Sequence, residues 1–291
     1  MKGEIRTNKI LQGISDNYLL ISKRIDSALW SPSDFAENQA FIVDCMQSYS
    51  TNIKYKGKYA FIRVLHAQEI CSSLFSLFSA ISAALCLFFV AKMESKRTRK
   101  DSSTSSPNAQ KVAKYFHFLK CVLALHSATW LGSCVFHIRD CYATQCLDYF
   151  GAILSISSTI FLSIKRLSIS ADAAQYFLSV FVACHILYMH FIHFDFLYNA
   201  AICGVLFGVN VGLWTLWYMR IKSAVYSRLL KISIFGMVSA ACFQIVDFGP
   251  VYFILDSHAL WHILGWIFSC SLHLFIAIDA NSLLKDFSAF A

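Results

Sequence analysis

The chain has 291 residues, of which 57% are hydrophobic and only 14% charged, with three prolines and a mean hydropathy of +0.55. A soluble domain carries about 25% charged residues, so these values exclude that class and describe a chain that crosses a membrane several times. The formal net charge of +8 calls for no nucleic-acid partner, because most basic residues lie beside apolar runs, where anionic headgroups attract them.

Residues 1–64 form a more polar amino-terminal segment, and their first stretch has no apolar core of signal-peptide length, which assigns membrane delivery to the first span. From residue 65 onward, apolar runs near the roughly 20 residues that cross about 30 Å of hydrocarbon recur along the chain. We place spans at about 67–91, 115–137, 147–164, 174–193, 197–219, 229–248 and 257–280. The expected fold is an all-α, seven-transmembrane helix bundle over residues 65–284, with 285–291 as a cytosolic tail. The basic, Ser-rich stretch within 92–114 reads as a disordered cytosolic loop.

The basic residues set the orientation. Connections after the first, third and fifth spans hold Lys92, Lys96, Arg97, Arg99, Lys100, Lys111 and Lys114, then Lys165 and Arg166, then Arg220, Lys222, Arg228 and Lys231. Those after the second, fourth and sixth hold only Arg139. The positive-inside rule puts the first set in the cytosol and the alternate loops in the lumen. Lys54, Lys56, Lys58 and Arg63 oppose this assignment before the first span, and the loops outweigh them. Most of the eleven cysteines fall within spans and read as small apolar residues; Cys45, Cys141 and Cys146 sit at the lumenal side.

Polar residues at membrane depth are costly, at about 2.5–3.5 kcal/mol for an Asp, Lys or Arg at a helix centre, and mark function. Ser133 and His137 lie four apart near the lumenal end of the second span, and His258 and His262 four apart at the start of the seventh, so each pair shares one helical face. Asp148 opens the third span at the same level, one short hairpin from His137. Three imidazoles fit a zinc site with an open fourth position, which lowers the pKa of a bound water to about 7. Asp148 then suits proton transfer, and Ser133 suits a hydrogen bond to water or oxyanion. Arg139 reads as a surface pair with Asp140 or a contact to an anionic headgroup. Asp195 and Asn199 read as braces between neighbouring spans, and Asp247 as support beside the site.

Five blocks, "YKGKYAFIRVLHAQE" (55–69), "SCVFHIRD" (133–140) with "LDYFGA" (147–152), "FDFLYN" (194–199), "DFGP" (247–250) and "DSHALWH" (256–262), carry a resemblance. In this order they resemble the post-GPI-attachment-to-proteins lipid-remodelling family, the Per-like proteins of the CREST superfamily, which also includes the alkaline ceramidases. The resemblance implies a seven-span, zinc-dependent hydrolase of the endoplasmic reticulum or Golgi membrane. Its partners would be membrane lipids and GPI-anchored proteins, from whose lipid it would remove the sn-2 acyl chain. His137, His258 and His262 match the superfamily's zinc ligands, and Ser133 and Asp148 its catalytic positions. The chain departs from the family where Gln145 and Gln244 stand for glutamate and Gly249 for proline, and only Cys45 remains of a cysteine-rich lumenal region. These departures leave two alternatives open: a non-catalytic binder or chaperone of GPI-anchored proteins, and a ceramidase-like amide hydrolase.

Overall fold

A computed structural model describes residues 61–289, except 62–63, 66, 101–106, 168–171, 247 and 253. Almost all of the amino-terminal segment, with Cys45, therefore lies outside the described residues, as does Asp247. Seven helices make up the described chain: α1 Ile70–Lys100, α2 Pro107–Ile138, α3 Tyr142–Arg166, α4 Asp172–Phe191, α5 Phe196–Ile221, α6 Ser227–Ile245 and α7 Ser257–Ala289. Six of them are long and apolar enough to cross a membrane; in α4 the apolar helix Gln175–Phe191 is shorter. The fold is an all-α membrane bundle, and no strand is present among the described residues beyond two isolated bridges.

Helices α1, α2, α3, α5, α6 and α7 pack in that cyclic order, α7 closing back on α1, while α4 leans on α3 outside the ring. The upper end of the bundle, where α1, α3, α5 and α7 begin, carries the site described below. Toward the lower end, Phe116, Leu119, Leu123, Trp217, Leu230 and Phe275 form the main apolar core. Buried Ser72, Ser76 and Ser79 give α1 a narrow face that admits its neighbours closely. Gly236 does the same for α6, since a Cβ there would stand 2.0 Å from the Phe268 ring of α7.

The linker expected over 92–114 is a correction. Helix α1 continues through Lys100 and α2 starts at Pro107, leaving only 101–106 outside the described residues. Lys, Arg and Glu are good helix formers, and the first breaker after α1 is Pro107, whose fixed φ suits a first helical turn. Lys120 of α2 pairs with Glu94 of α1.

The short segment before α1 crosses the end of α2. The backbone N–H groups of Gln68 and Glu69 donate to the carbonyls of Ile138 and His137 at 3.1 and 2.9 Å, satisfying two of the acceptors that a helix leaves open at its C-terminus. The Gln68 side chain takes the N–H of Asp140 at 2.6 Å. Glu69 is thereby fixed beside the last turn of α2.

Candidate metal centre

Helix α2 brings His137 to the upper end of the bundle, and α7 brings His258 and His262 on adjacent turns of one face. One donor atom from each of the three lies within 4.8 Å of the others. His137 and His262 are buried and His258 half-buried. The aim of α7 is set by Asp256, whose carboxylate accepts from the N–H of Ala259 at 2.7 Å and so caps the helix two residues before His258. Burial pushes the Asp256 carboxyl up to about 6.

Each imidazole has its Nδ1 engaged by a different acceptor. Glu69 Oε2 takes His137 Nδ1 at 2.9 Å. Gln244 Oε1, on the last turn of α6, takes His258 Nδ1 at 2.8 Å. Ser76 Oγ of α1 pairs with His262 Nδ1 at 3.0 Å, and its own hydroxyl donates to Ser133 Oγ at 3.4 Å. A carboxylate and an amide oxygen only accept, so the protons of His137 and His258 reside on Nδ1. Ser76 spends its hydrogen on Ser133, and His262 then also carries its proton on Nδ1. In that tautomer each Nε2 presents a lone pair that a metal could take.

These lone pairs converge. His258 Nε2 and His262 Nε2 stand 3.0 Å apart, and His137 Nε2 is buried with no hydrogen-bond partner. Two imidazole nitrogens this close need a proton or a cation between them, and a buried acceptor without a donor costs about 1–3 kcal/mol. A cation bound by three neutral imidazoles relieves both, and three imidazoles are a zinc-type donor set. The residues present fit such an ion. The outer partners Glu69, Ser76 and Gln244 hold each ring in the tautomer that a metal requires.

Ser133 lies one turn before His137 on α2, and the half-buried Asp148 of α3 stands beside it. Hydrogen bonds therefore run from His262 through Ser76 to Ser133, next to Asp148. The structure thus brings together Ser133, His137, Asp148, His258 and His262.

The remaining sequence candidates stand differently. Asp195 caps α5, its Oδ1 accepting from the N–H of Tyr198 at 2.6 Å. Asn199 is buried and holds His185 Nε2 of α4 at 3.0 Å. Asn199 thus ties α5 to α4 while Asp195 serves α5 itself, and neither is joined by a hydrogen bond to the three histidines. Arg139 is exposed just past α2, its carbonyl accepting from Thr144 Oγ1 at 2.7 Å. Cys141 and Cys146 are both free thiols. Sequence reasoning had not singled out Glu69, Ser76 or Asp256, nor the facing of His126 and His273. Those two rings lie 6.1 Å apart, held by Ser158 at 3.3 Å and Ser82 at 2.8 Å.

Comparison with known proteins places this arrangement in a family. The Xenopus laevis protein named GPI-specific phospholipase A2-like PGAP3 is 32% identical over 240 residues, covering 80% of this chain and 70% of its own length. The mouse protein of the same name is 26% identical over 242 residues, covering 81% and 71%. A Drosophila melanogaster protein named post-GPI attachment to proteins factor 3 is 28% identical over 223 residues, covering 72% and 62%. No solved structure matches the chain significantly. The sequence model of the Per1-like family matches residues 35–280, and the chain belongs to that family.

Proposed function

We propose that the protein is a zinc-dependent membrane hydrolase that removes the sn-2 acyl chain from the lipid of protein-attached GPI, a phospholipase A2-type step. The carrying observation is the convergence of three imidazoles, each fixed from behind, beside Ser133 and Asp148. The names of the relatives, which speak of a GPI-specific phospholipase A2-like protein, supply the substrate class.

His137, His258 and His262 would hold the zinc ion. When bound, it supplies a water whose pKa is lowered to about 7 and a positive centre for the ester carbonyl. Asp148 accepts the proton of the attacking water and, as the carbon–oxygen bond to the glycerol breaks, returns it to the departing lysolipid oxygen. The products are a free fatty acid and lyso-GPI, with no redox change. Ser133 holds Asp148 in place and offers its hydroxyl to the oxygen on which charge develops. In this reading α4 is the seventh span, the upper end faces the lumen of the endoplasmic reticulum or Golgi, and the ester enters at headgroup level.

The test is mass spectrometry of GPI lipids from cells lacking the protein and complemented with wild type, His258→Ala or Asp148→Asn. Restoration of lyso-GPI or its remodelled products by wild type alone is the expected result. Equal complementation by both variants would replace hydrolysis with a binding role.

A further inference from the structure

Helices α1 and α7 run in the same direction and are pinned at two heights. At the upper one Ser76 meets His262. About one and a half turns further down α1, Ser82 Oγ meets His273 Nδ1 at 2.8 Å and the Cys86 thiol donates to the His273 carbonyl at 3.2 Å. Along this seam the outer faces of the two helices form a groove of about 390 Å³. Its α1 wall includes Phe78, Leu85 and Phe89, and its α7 wall Trp266, Cys270 and Ala277. Each set falls on one helical face, and the polar atoms named above, which lie at the floor, are already paired with one another.

The groove is open along its length, with an aromatic step at its head. Phe75, Phe78 and Trp266 pack their rings with centroids 5.4–5.7 Å apart, forming a step beside Ser76, the residue that holds His262. Leu85 and Phe89 remain 52% and 54% exposed. From Phe78 to Phe89 a helix rises ~16 Å at 1.5 Å per residue, close to half of the roughly 30 Å hydrocarbon core. The dimensions and lining are those of a bed for one lipid tail in one leaflet, starting within about one helical turn of Ser76 and His262.

We propose that this groove holds one hydrocarbon chain of the substrate lipid and so sets the glycerol backbone at the level of Ser76 and His262, an inference that rests on the lipid-hydrolase reading above. A diacyl lipid seated there has its ester region above the aromatic step and its tail against Leu85 and Phe89. The groove acts in positioning: it fixes the height at which the ester is presented and takes no part in bond breaking.

The experiment uses the full chain in phosphatidylcholine nanodiscs with a phosphatidylinositol probe that carries a diazirine far along one acyl chain. Photolysis followed by peptide mapping is expected to label residues 78–89 and 266–277. Excess unlabelled phosphatidylinositol should suppress that labelling several-fold, and added phosphatidylcholine should not. Filling the groove with Ala277→Phe, or with Leu85→Trp from its exposed rim should the first variant not fold, should reduce it similarly. Labelling at Val205, which is 67% exposed on α5, should stay constant. Equal competition by both lipids, or groove labelling that survives both fillings, would make the groove ordinary lipid-facing surface and overturn the proposal. Hydrolysis is measured on the same preparation: turnover without groove labelling sinks the groove alone, and specific groove labelling without turnover sinks the hydrolase reading alone.

Discussion

His258 Nε2 and His262 Nε2 stand 3.0 Å apart while their Nδ1 atoms are taken up by Gln244 and Ser76. A proton or a cation between the two nitrogens holds such a pair together. Protein purified without chelator is therefore expected to contain about one zinc per chain, measured by plasma mass spectrometry. His137→Ala and His262→Ala should each lose most of it, and chelation should lower the thermal midpoint of wild type but not of these variants. A metal-free wild type with an unchanged midpoint would count against the site.

Gln244 deserves a test of its own kind, because its neutral amide stands where the family resemblance expects a carboxylate. An amide oxygen accepts the Nδ1–H of His258, at 2.8 Å, but makes the ring less basic than a carboxylate would. Gln244→Glu should slow zinc loss to a competing chelator, and Gln244→Leu should weaken retention by roughly 10–100-fold. If Gln244→Leu holds metal as tightly as wild type, the amide is a bystander.

Asp148 and the three histidines should separate in function. Asp148→Asn keeps the size of the side chain but cannot take a proton from water. Turnover should fall about 10²–10⁴-fold with the zinc content unchanged. Ser133→Ala should cost less, since Asp148 remains. Loss of zinc in Asp148→Asn would recast the carboxylate as a support of the metal site.

The legibility of this site from sequence depended on spacing. His258 and His262, or Ser133 and His137, declare a shared face by being four apart in an apolar run. Glu69 carries no such mark, since it lies 68 positions from His137 on the segment that crosses the end of α2. Ser76 was hidden among the small residues of a serine-rich packing face. Asp256 did carry a signal, an aspartate directly before a helix start, that a search for caps would have found. The helices were visible as apolar runs, but their ends were not: charged residues continue α1 and α2 well past the hydrocarbon limit, because lysine and arginine sustain a helix as readily as leucine does.

Cys141 offers a direct test of orientation. It is an exposed thiol between α2 and α3, outside the spans, and hydrogen bonding from Thr144 holds its pKa below the usual thiol value. A larger thiolate fraction near neutral pH means faster alkylation. In sealed microsomes a membrane-impermeant maleimide should label Cys141 only after the lumen is opened, and Thr144→Val should slow the labelling. Labelling of intact microsomes would invert the topology and place the candidate metal centre on the cytosolic side.

At the opposite end of the bundle a second polar assembly serves stability. Arg166 at the end of α3 grips Asp279 of α7 with two parallel bonds, Nε to Oδ2 at 2.8 Å and Nη2 to Oδ1 at 3.0 Å. Tyr226 donates its hydroxyl to the same carboxylate at 3.3 Å, and the guanidinium lies over the Trp217 ring at 5.9 Å. Asp279 is 2% exposed. Removing one partner leaves the other charge in an apolar setting, so Asp279→Ala should destabilise the bundle by about 3–5 kcal/mol, whereas the pair Arg166→Leu with Asp279→Leu should recover much of that loss. Both are read by thermal unfolding in nanodiscs. The metal content per folded chain should stay at the wild-type level, because α7 is fixed near the histidines by its own cap at Asp256. A double variant no more stable than Asp279→Ala would show that the pair specifies the helix register, with Tyr226 and Trp217 unable to hold it alone.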